Sequence, residues 1–219
     1  MEARKTENKK SSWQCFKYFV GIIGLGVFII SSYYTWEVLR ARAETSGIIK
    51  KALESDNIVL MPEDLSKQQI KAIIIYQDPN FFTHKGWDFA NGIITTITQS
   101  LVKKLYFKQF KPGIAKIRQS LIARFALDPQ MSKRDQLCLF INIVYLGTFD
   151  GQPVIGFTQG AKFFYNKSFE ELTFDEFLSL LDFKNPNHLN PHINPEGNRR
   201  NVLYLKQRLS EDGKDSPII

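Results

Sequence analysis

Cysteine is scarce in this 219-residue sequence, which contains only Cys15 and Cys138 and therefore shows no disulfide framework. Histidine, cysteine and aspartate do not cluster at the spacing of metal ligands, so the sequence shows no metal site. Helix-turn-helix, zinc-finger and RNA-binding patterns are also missing, which argues against a nucleic-acid partner. Alternating apolar and polar residues are rare, and only residues 57–61 weakly indicate a strand. These absences favour a mainly α-helical fold.

Charged residues are missing from one stretch near the N-terminus, residues 18–34, which reads YFVGIIGLGVFIISSYY. Its length is at the lower limit for a membrane-spanning helix, and Trp13 and Trp36 flank it, as is typical of the membrane interface. Five basic and two acidic residues precede it, so the positive-inside rule predicts a cytoplasmic N-terminus. A cleaved signal peptide and a buried core helix are the alternatives, but no small-x-small cleavage site follows.

The sequence therefore predicts a single-pass protein of the cytoplasmic (inner) membrane. Its predicted segments are a basic cytoplasmic tail at residues 1–17, an anchor at 18–36, a connector at 37–65, a domain on the outer face at 66–210 and a tail at 211–219. Cys15 and Cys138 would lie on opposite sides of the membrane and could not pair. The net charge of +7 suits anionic lipid headgroups or a pyrophosphate substrate.

Apolar periodicity predicts helices through most of the exterior domain. The predicted helices cover residues 66–76, 87–105, 114–127, 137–145 and 177–181, with a last one from 195 to 209. Ser132 and Thr173 are placed to cap two of them, since each hydroxyl is followed three residues later by an acidic residue. Residues 36–54 are also compatible with a helix, which the Ser-Asp-Asn sequence at 55–57 would end.

Five motifs in this domain occur in the order known from one family. Residues 77–86, QDPNFFTHKG, match the pattern E-D-x-x-F-x-x-H-x-G at every fixed position except the first, where Gln77 replaces glutamate. The other four motifs lie at residues 95–103, 132–147, 156–164 and 199–203. Together the motifs resemble the peptidoglycan glycosyltransferases, the family of monofunctional transglycosylases and of the transglycosylase domain of bifunctional penicillin-binding proteins. The resemblance extends over residues 66–209.

The resemblance implies a lysozyme-like helical domain that joins lipid-linked disaccharide pyrophosphates into glycan strands. The expected partners are such a precursor or a glycan strand, membrane lipid, and protein partners in the cell envelope. A divalent metal ion is compatible with the resemblance, although the sequence shows no site for one. The reaction needs a carboxylate that accepts the proton of the attacking hydroxyl, and cations that stabilise the departing pyrophosphate.

The carboxylates that this chemistry needs are replaced in the sequence. The resemblance places Gln77 at the position of the catalytic base and Gln119 at that of a second glutamate, with Ser120 as the alternative aligned residue. An amide is not a general base, and losing that role costs about a hundred- to ten-thousandfold in rate. Asp78 is the candidate substitute, although its side chain is shorter and points differently at a helix end.

The cations and other cleft residues that the resemblance implies are present. Lys103, Lys111, Lys116 and Arg118 occupy basic positions of the family, where they would bind phosphate oxygens. Ordinary solvated side chains are the alternative interpretation. Phe81, His84, Thr96, Thr98 and Gln99 are further candidate binding residues. A structural role is the alternative for each of them. Phe81 would pack in the core, and His84 would form a supporting hydrogen bond. The three polar residues would pack or form hydrogen bonds to the main chain of their own helix.

The sequence thus predicts a membrane-anchored member of this family that acts on or binds lipid-linked disaccharide pyrophosphate with impaired catalysis. One alternative is an active monofunctional transglycosylase that uses Asp78 in place of the missing glutamate. The other is a membrane-tethered scaffold in a complex of the cell envelope.

Overall fold

The computed structural model describes residues 2–89, 95–181 and 191–212. Its first element is a continuous 52-residue helix, α1 (Glu2–Leu53), which is about 78 Å long at 1.5 Å per residue. The helix runs without a break through the predicted anchor and the first part of the predicted connector. Large apolar side chains between Phe16 and Leu39 are exposed, and the helix is long and apolar enough to cross a membrane.

The C-terminal half of α1 packs against the rest of the chain. Ala41 and Thr45 are buried there. The Thr45 hydroxyl shares a 2.7 Å hydrogen bond with the hydroxyl of Tyr106, and Arg42 Nη1 donates to the main-chain oxygen of Phe125 at 2.8 Å. The exposed apolar half and the docked half therefore belong to one continuous helix.

The remaining elements are mostly helical, which confirms the predicted fold class. They are α2 (Lys67–Gln77), α3 (Ile97–Leu105), α4 (Ile114–Ile122), α5 (Lys133–Ile143), β1 (Tyr145–Phe149), β2 (Gln152–Ile155), α6 (Gly156–Tyr165), α7 (Phe174–Ser179) and α8 (Pro195–Asp212). A π-helical turn, Ala123–Leu127, follows α4. The predicted cap residues Ser132 and Thr173 both accept from the main-chain amide three residues later.

The predicted strand at residues 57–61 is wrong, and so is the end of the helix predicted at 137–145, because α5 ends at Ile143 and Tyr145 begins β1. Residues 57–61 form no strand; instead the amides of Val59 and Leu60 both donate to Asn142 Oδ1 at 3.0 Å. The strands that exist, β1 and β2, pair as an antiparallel hairpin through a turn at Asp150 and Gly151. Both turn residues have positive φ, 49° and 76°, which an Asp-Gly pair tolerates well.

The predicted helix at 87–105 is correct only in its C-terminal part. α3 begins at Ile97, because the Thr96 side chain accepts from the amide of Gln99 and caps the helix there. Residues 87–89 are not helical, and residues 90–94 lie outside the described residues. A core of apolar side chains surrounds α3 and α5 and includes the fully buried Phe157 and Phe177.

Candidate active site

A cavity of about 550 Å³ lies where the end of α2, the helices α3 and α4, and the start of β1 meet. Its apolar wall includes Leu101, Phe110 and Phe140. Its polar wall contains three lysines, two glutamines, two hydroxyl residues and a tyrosine: Lys103, Lys104, Lys116, Gln77, Gln119, Thr95, Ser100 and Tyr145. Among the described residues that line it, none carries a carboxylate.

Gln77 and Gln119 therefore share one cavity, as the resemblance implied. Gln77 is the last residue of α2 and is 6% exposed, and its Nε2 donates to the main-chain oxygen of Thr95 at 2.8 Å. Gln119 on α4 is 1% exposed, and its Nε2 donates to the main-chain oxygen of Gln99 at 2.6 Å. Within the described part of the chain, both Oε1 atoms are buried without a hydrogen-bond partner.

The three lysines give the cavity its charge. Lys116 Nζ donates to the Thr95 hydroxyl at 2.9 Å, and Lys103 Nζ lies 5.3 Å from the centre of the Phe110 ring. Burial lowers the pKa of both Lys104 and Lys116, and the charge of Lys103 lowers each pKa further. Lysines that repel one another in this way favour an anion between them. Lys104 was not a sequence prediction, although it directly follows Lys103 in α3.

Asp78 and His84 form a buried pair beside the cavity, and neither is among its lining residues. The Gly86 amide donates to His84 Nδ1 at 3.0 Å, so that nitrogen is an acceptor and Nε2 carries the proton. His84 Nε2 donates to the Asp78 carboxylate at 2.8 and 2.9 Å, and the Ile97 amide donates to Asp78 Oδ2 at 2.9 Å. Asp78 thus fixes the start of α3.

The polar residues of the TITQ segment also form structural hydrogen bonds. Thr96 caps α3 and donates to the main-chain oxygen of Gly86 at 3.0 Å. Thr98 is fully buried and donates to Gln136 Oε1 at 2.6 Å. Gln99 is 4% exposed and donates to Ser120 Oγ at 2.9 Å. These three predicted binding residues are not among the residues that line the cavity.

Phe81, Lys111 and Arg118 also lie outside the cavity lining. Phe81 is fully buried in the core, and Lys111 is exposed on the segment between α3 and α4. Arg118 Nε lies 2.6 Å from Glu37 Oε2 on α1, although the two atoms are not aligned as a hydrogen bond. The guanidinium also lies over the Phe107 ring at 5.1 Å. In this structure Arg118 therefore joins α4 to the long N-terminal helix.

A divalent metal ion, which the resemblance allowed, finds no candidate site in the described ranges. No group of three or more histidine, cysteine, aspartate or glutamate residues in them could hold one. Two buried carboxylates, that of Asp78 directly after Gln77 and that of Glu37 on α1, are engaged with His84 and Arg118.

Comparison with known proteins defines the class to which this helical domain and its cavity belong. Residues 94–209, just over half of the chain, match the model of the Transglycosylase family. The chain belongs to that family, which confirms the recognition of a peptidoglycan glycosyltransferase from its motifs.

The relatives include two penicillin-binding proteins 1A. That of Neisseria flavescens is 29% identical over 167 residues, which is 69% of this chain and 20% of the relative. That of Neisseria gonorrhoeae is 27% identical over 241 residues, which is 93% of this chain and 29% of the relative. The chain thus spans less than a third of the length of these two relatives. A protein of Cupriavidus necator, named a transglycosylase, is 27% identical over 161 residues, 66% of this chain and 67% of the relative.

Proposed function

We propose that this chain binds lipid-linked disaccharide pyrophosphate in cell-wall assembly and transfers its sugar poorly, if at all. The observation that carries the proposal is the polar wall of the cavity. It combines Lys103, Lys104 and Lys116 with the amides of Gln77 and Gln119, and no described lining residue is acidic. The described lining residues therefore include groups that attract a pyrophosphate but no carboxylate that could accept a proton from a sugar hydroxyl.

The lysines support binding of the pyrophosphate. Ammonium groups form charge-assisted hydrogen bonds with phosphate oxygens, each stronger than a bond between neutral groups. The hydroxyls of Thr95 and Ser100 offer acceptors beside them, which suits a ligand with several sugar hydroxyls.

The contacts of Asp78 argue against the alternative of an active transglycosylase. A substitute base must be accessible to the sugar hydroxyl. Both carboxylate oxygens of Asp78 accept hydrogen bonds from buried groups, and its side chain is 2% exposed. Without a base, the rate is expected to be about a hundred- to ten-thousandfold lower than that of an enzyme with one.

The proposed placement of the chain agrees with this ligand. We propose that α1 anchors the chain in the cytoplasmic membrane with its N-terminus in the cytoplasm and the cavity outside. The basis is the charge bias of the first seventeen residues and the exposed apolar surface that follows them. A ligand whose lipid lies in the same membrane would then reach the cavity from the bilayer surface.

The test is a binding titration with the full-length chain in lipid nanodiscs. Lipid-linked disaccharide pyrophosphate is the ligand, and the variants are Lys103→Met and Lys116→Met. Each lost charge-assisted bond should weaken binding about tenfold, and added salt should weaken wild-type binding as well. Lys162→Met is the matched control, because Lys162 is an exposed lysine on α6 outside the cavity lining. Equal affinities for wild type and both cavity variants would contradict the proposal.

A further inference from the structure

The two glutamines of the cavity bond to the start and the first turn of α3 from two different helices. Gln77 reaches from the end of α2 to the Thr95 carbonyl, directly before the cap of α3. Gln119 reaches from α4 to the Gln99 carbonyl inside the first turn. In both bonds the side chain is the donor and a main-chain oxygen is the acceptor, at 2.8 and 2.6 Å.

A charged glutamate lacks the donor that these bonds require. In the same rotamer, its oxygen would lie within 3 Å of a carbonyl oxygen, and two acceptors at that distance repel each other. A protonated glutamate, by contrast, has one O–H group and can donate to the carbonyl as the amide does. Both positions are buried, so water cannot readily replace the missing donor.

We propose that Gln77 and Gln119 are positioning residues that fasten the lysine-bearing helix α3 between α2 and α4, a role that glutamate fills only when protonated. In this chain, a carboxyl group at either position would lose that bond in its charged form, which is the form that could act as a base. The inference holds whether or not the cavity takes the ligand proposed above, because it depends on contacts within the chain.

Several charged or titratable groups face these positions and determine how a new carboxyl would titrate. Lys116 shares α4 with Gln119, Lys103 and Lys104 extend from α3, and Tyr145 lies on β1. The lysines favour a charged carboxylate, whereas burial and the adjacent carbonyl oppose it. Asp78, beside Gln77 and bonded to His84, opposes it as well. At position 119 the side chain is most completely buried and its contact with the carbonyl is shortest. We therefore expect the effects that disfavour the charged carboxylate to prevail there.

The experiment compares thermal unfolding of the full-length wild type and of Gln119→Glu in detergent at about pH 4.5 and about pH 8. A glutamate pKa raised by about two units from about 4.3 corresponds to a loss of about a hundredfold in the folding equilibrium constant. The stability of the variant relative to wild type is retained below the unfolded-state pKa and lost as the pH rises through the raised value. The variant should therefore melt close to wild type at the lower pH and clearly earlier at the higher pH.

Two controls separate charge from packing. Gln119→Met removes the donor without adding a charge, so its deficit should be the same at both pH values. Gln130→Glu changes an exposed amide that also donates to main-chain oxygens, those of Arg42 and Ala126. Its carboxylate can turn into water, so its stability relative to wild type should change little with pH.

A Gln119→Glu deficit that is equal at both pH values, or that shrinks at the higher pH because the lysines pair with the carboxylate, overturns the inference. If that variant does not fold at either pH, Gln77→Glu decides in the same way, since its bond is longer and its site less completely buried. Binding of lipid-linked disaccharide pyrophosphate by the wild type is measured separately. If the wild type does not bind this ligand, the proposed function is rejected. The role of the two glutamines is still decided by the unfolding experiment.

Discussion

Replacing Asp78 with asparagine separates its structural role from the catalytic role that the sequence left open. The carboxylate accepts from His84 Nε2 with both oxygens and from the Ile97 amide with one. An asparagine has one acceptor oxygen, so its NH₂ group would face the N–H of His84 at about the same short distance. His84 cannot relieve this clash by moving its proton to Nδ1, because Nδ1 accepts from the Gly86 amide.

The cost follows from these contacts. Asp78→Asn weakens charge-assisted hydrogen bonds and leaves a buried N–H group without an acceptor, which together should cost about 3 kcal/mol of unfolding free energy. For a chain of this size, that corresponds to a drop in melting temperature of about 6–12 °C. The assay is thermal unfolding of the full-length chain in detergent, followed by circular dichroism.

The matched control is Asp175→Asn. Asp175 pairs with Lys206 at 2.6 Å, but its side chain is 59% exposed, so the same change should cost less than about 1 kcal/mol. The reasoning is refuted if Asp78→Asn melts within about 1 °C of wild type. Should it melt normally while abolishing a glycan-forming activity present in the wild type, Asp78 would be the base after all.

Three further substitutions test other parts of the structure by the same unfolding assay. Asn142→Leu should cost about 3 kcal/mol, since it removes four hydrogen bonds to main-chain groups, three of them buried; a shift below about 1 °C would contradict this. Gly156→Ala should cost a similar amount, about 3 kcal/mol, because φ is +77° and a Cβ would lie 2.4 Å from the Asn142 oxygen; wild-type stability would show that the turn is misplaced. Arg118→Met should cost about 1–3 kcal/mol by leaving Glu37 unpaired, yet change the affinity for lipid-linked disaccharide pyrophosphate by less than about threefold; a tenfold weaker affinity would return Arg118 to the binding residues.

The sequence predicted which residues lie close together better than it predicted the contacts of their side chains. The apolar pattern before Gln77 correctly placed this residue at the end of a helix, and the motif register brought Gln119, Lys103 and Lys116 to the same cavity. These predictions succeeded because helix periodicity and motif spacing fix where a side chain begins.

The direction of a polar side chain depends on its hydrogen-bond partners, and the sequence alone does not identify those partners. Thr98 lies within a motif of the family, yet it turns toward Gln136, which is 38 residues away. Arg118 was expected at phosphate, but it pairs with Glu37 on a helix that sequence reasoning divided into anchor and connector. The hairpin had a usable signal, the Asp-Gly pair at 150–151, and attention to it would have predicted β1 and β2.

The proposed lack of a general base, which rests on the described residues of the cavity, is tested by comparing glycan-strand formation by the wild-type chain with that of an active transglycosylase of the family. Both are supplied with saturating lipid-linked disaccharide pyrophosphate in the same membrane mimic, and binding is verified in the same samples. A cavity that holds the ligand with three lysines and two amides should form strands at least about a hundredfold more slowly than the active enzyme. Strand formation at a comparable rate would show that the chain has a proton acceptor that this account does not contain.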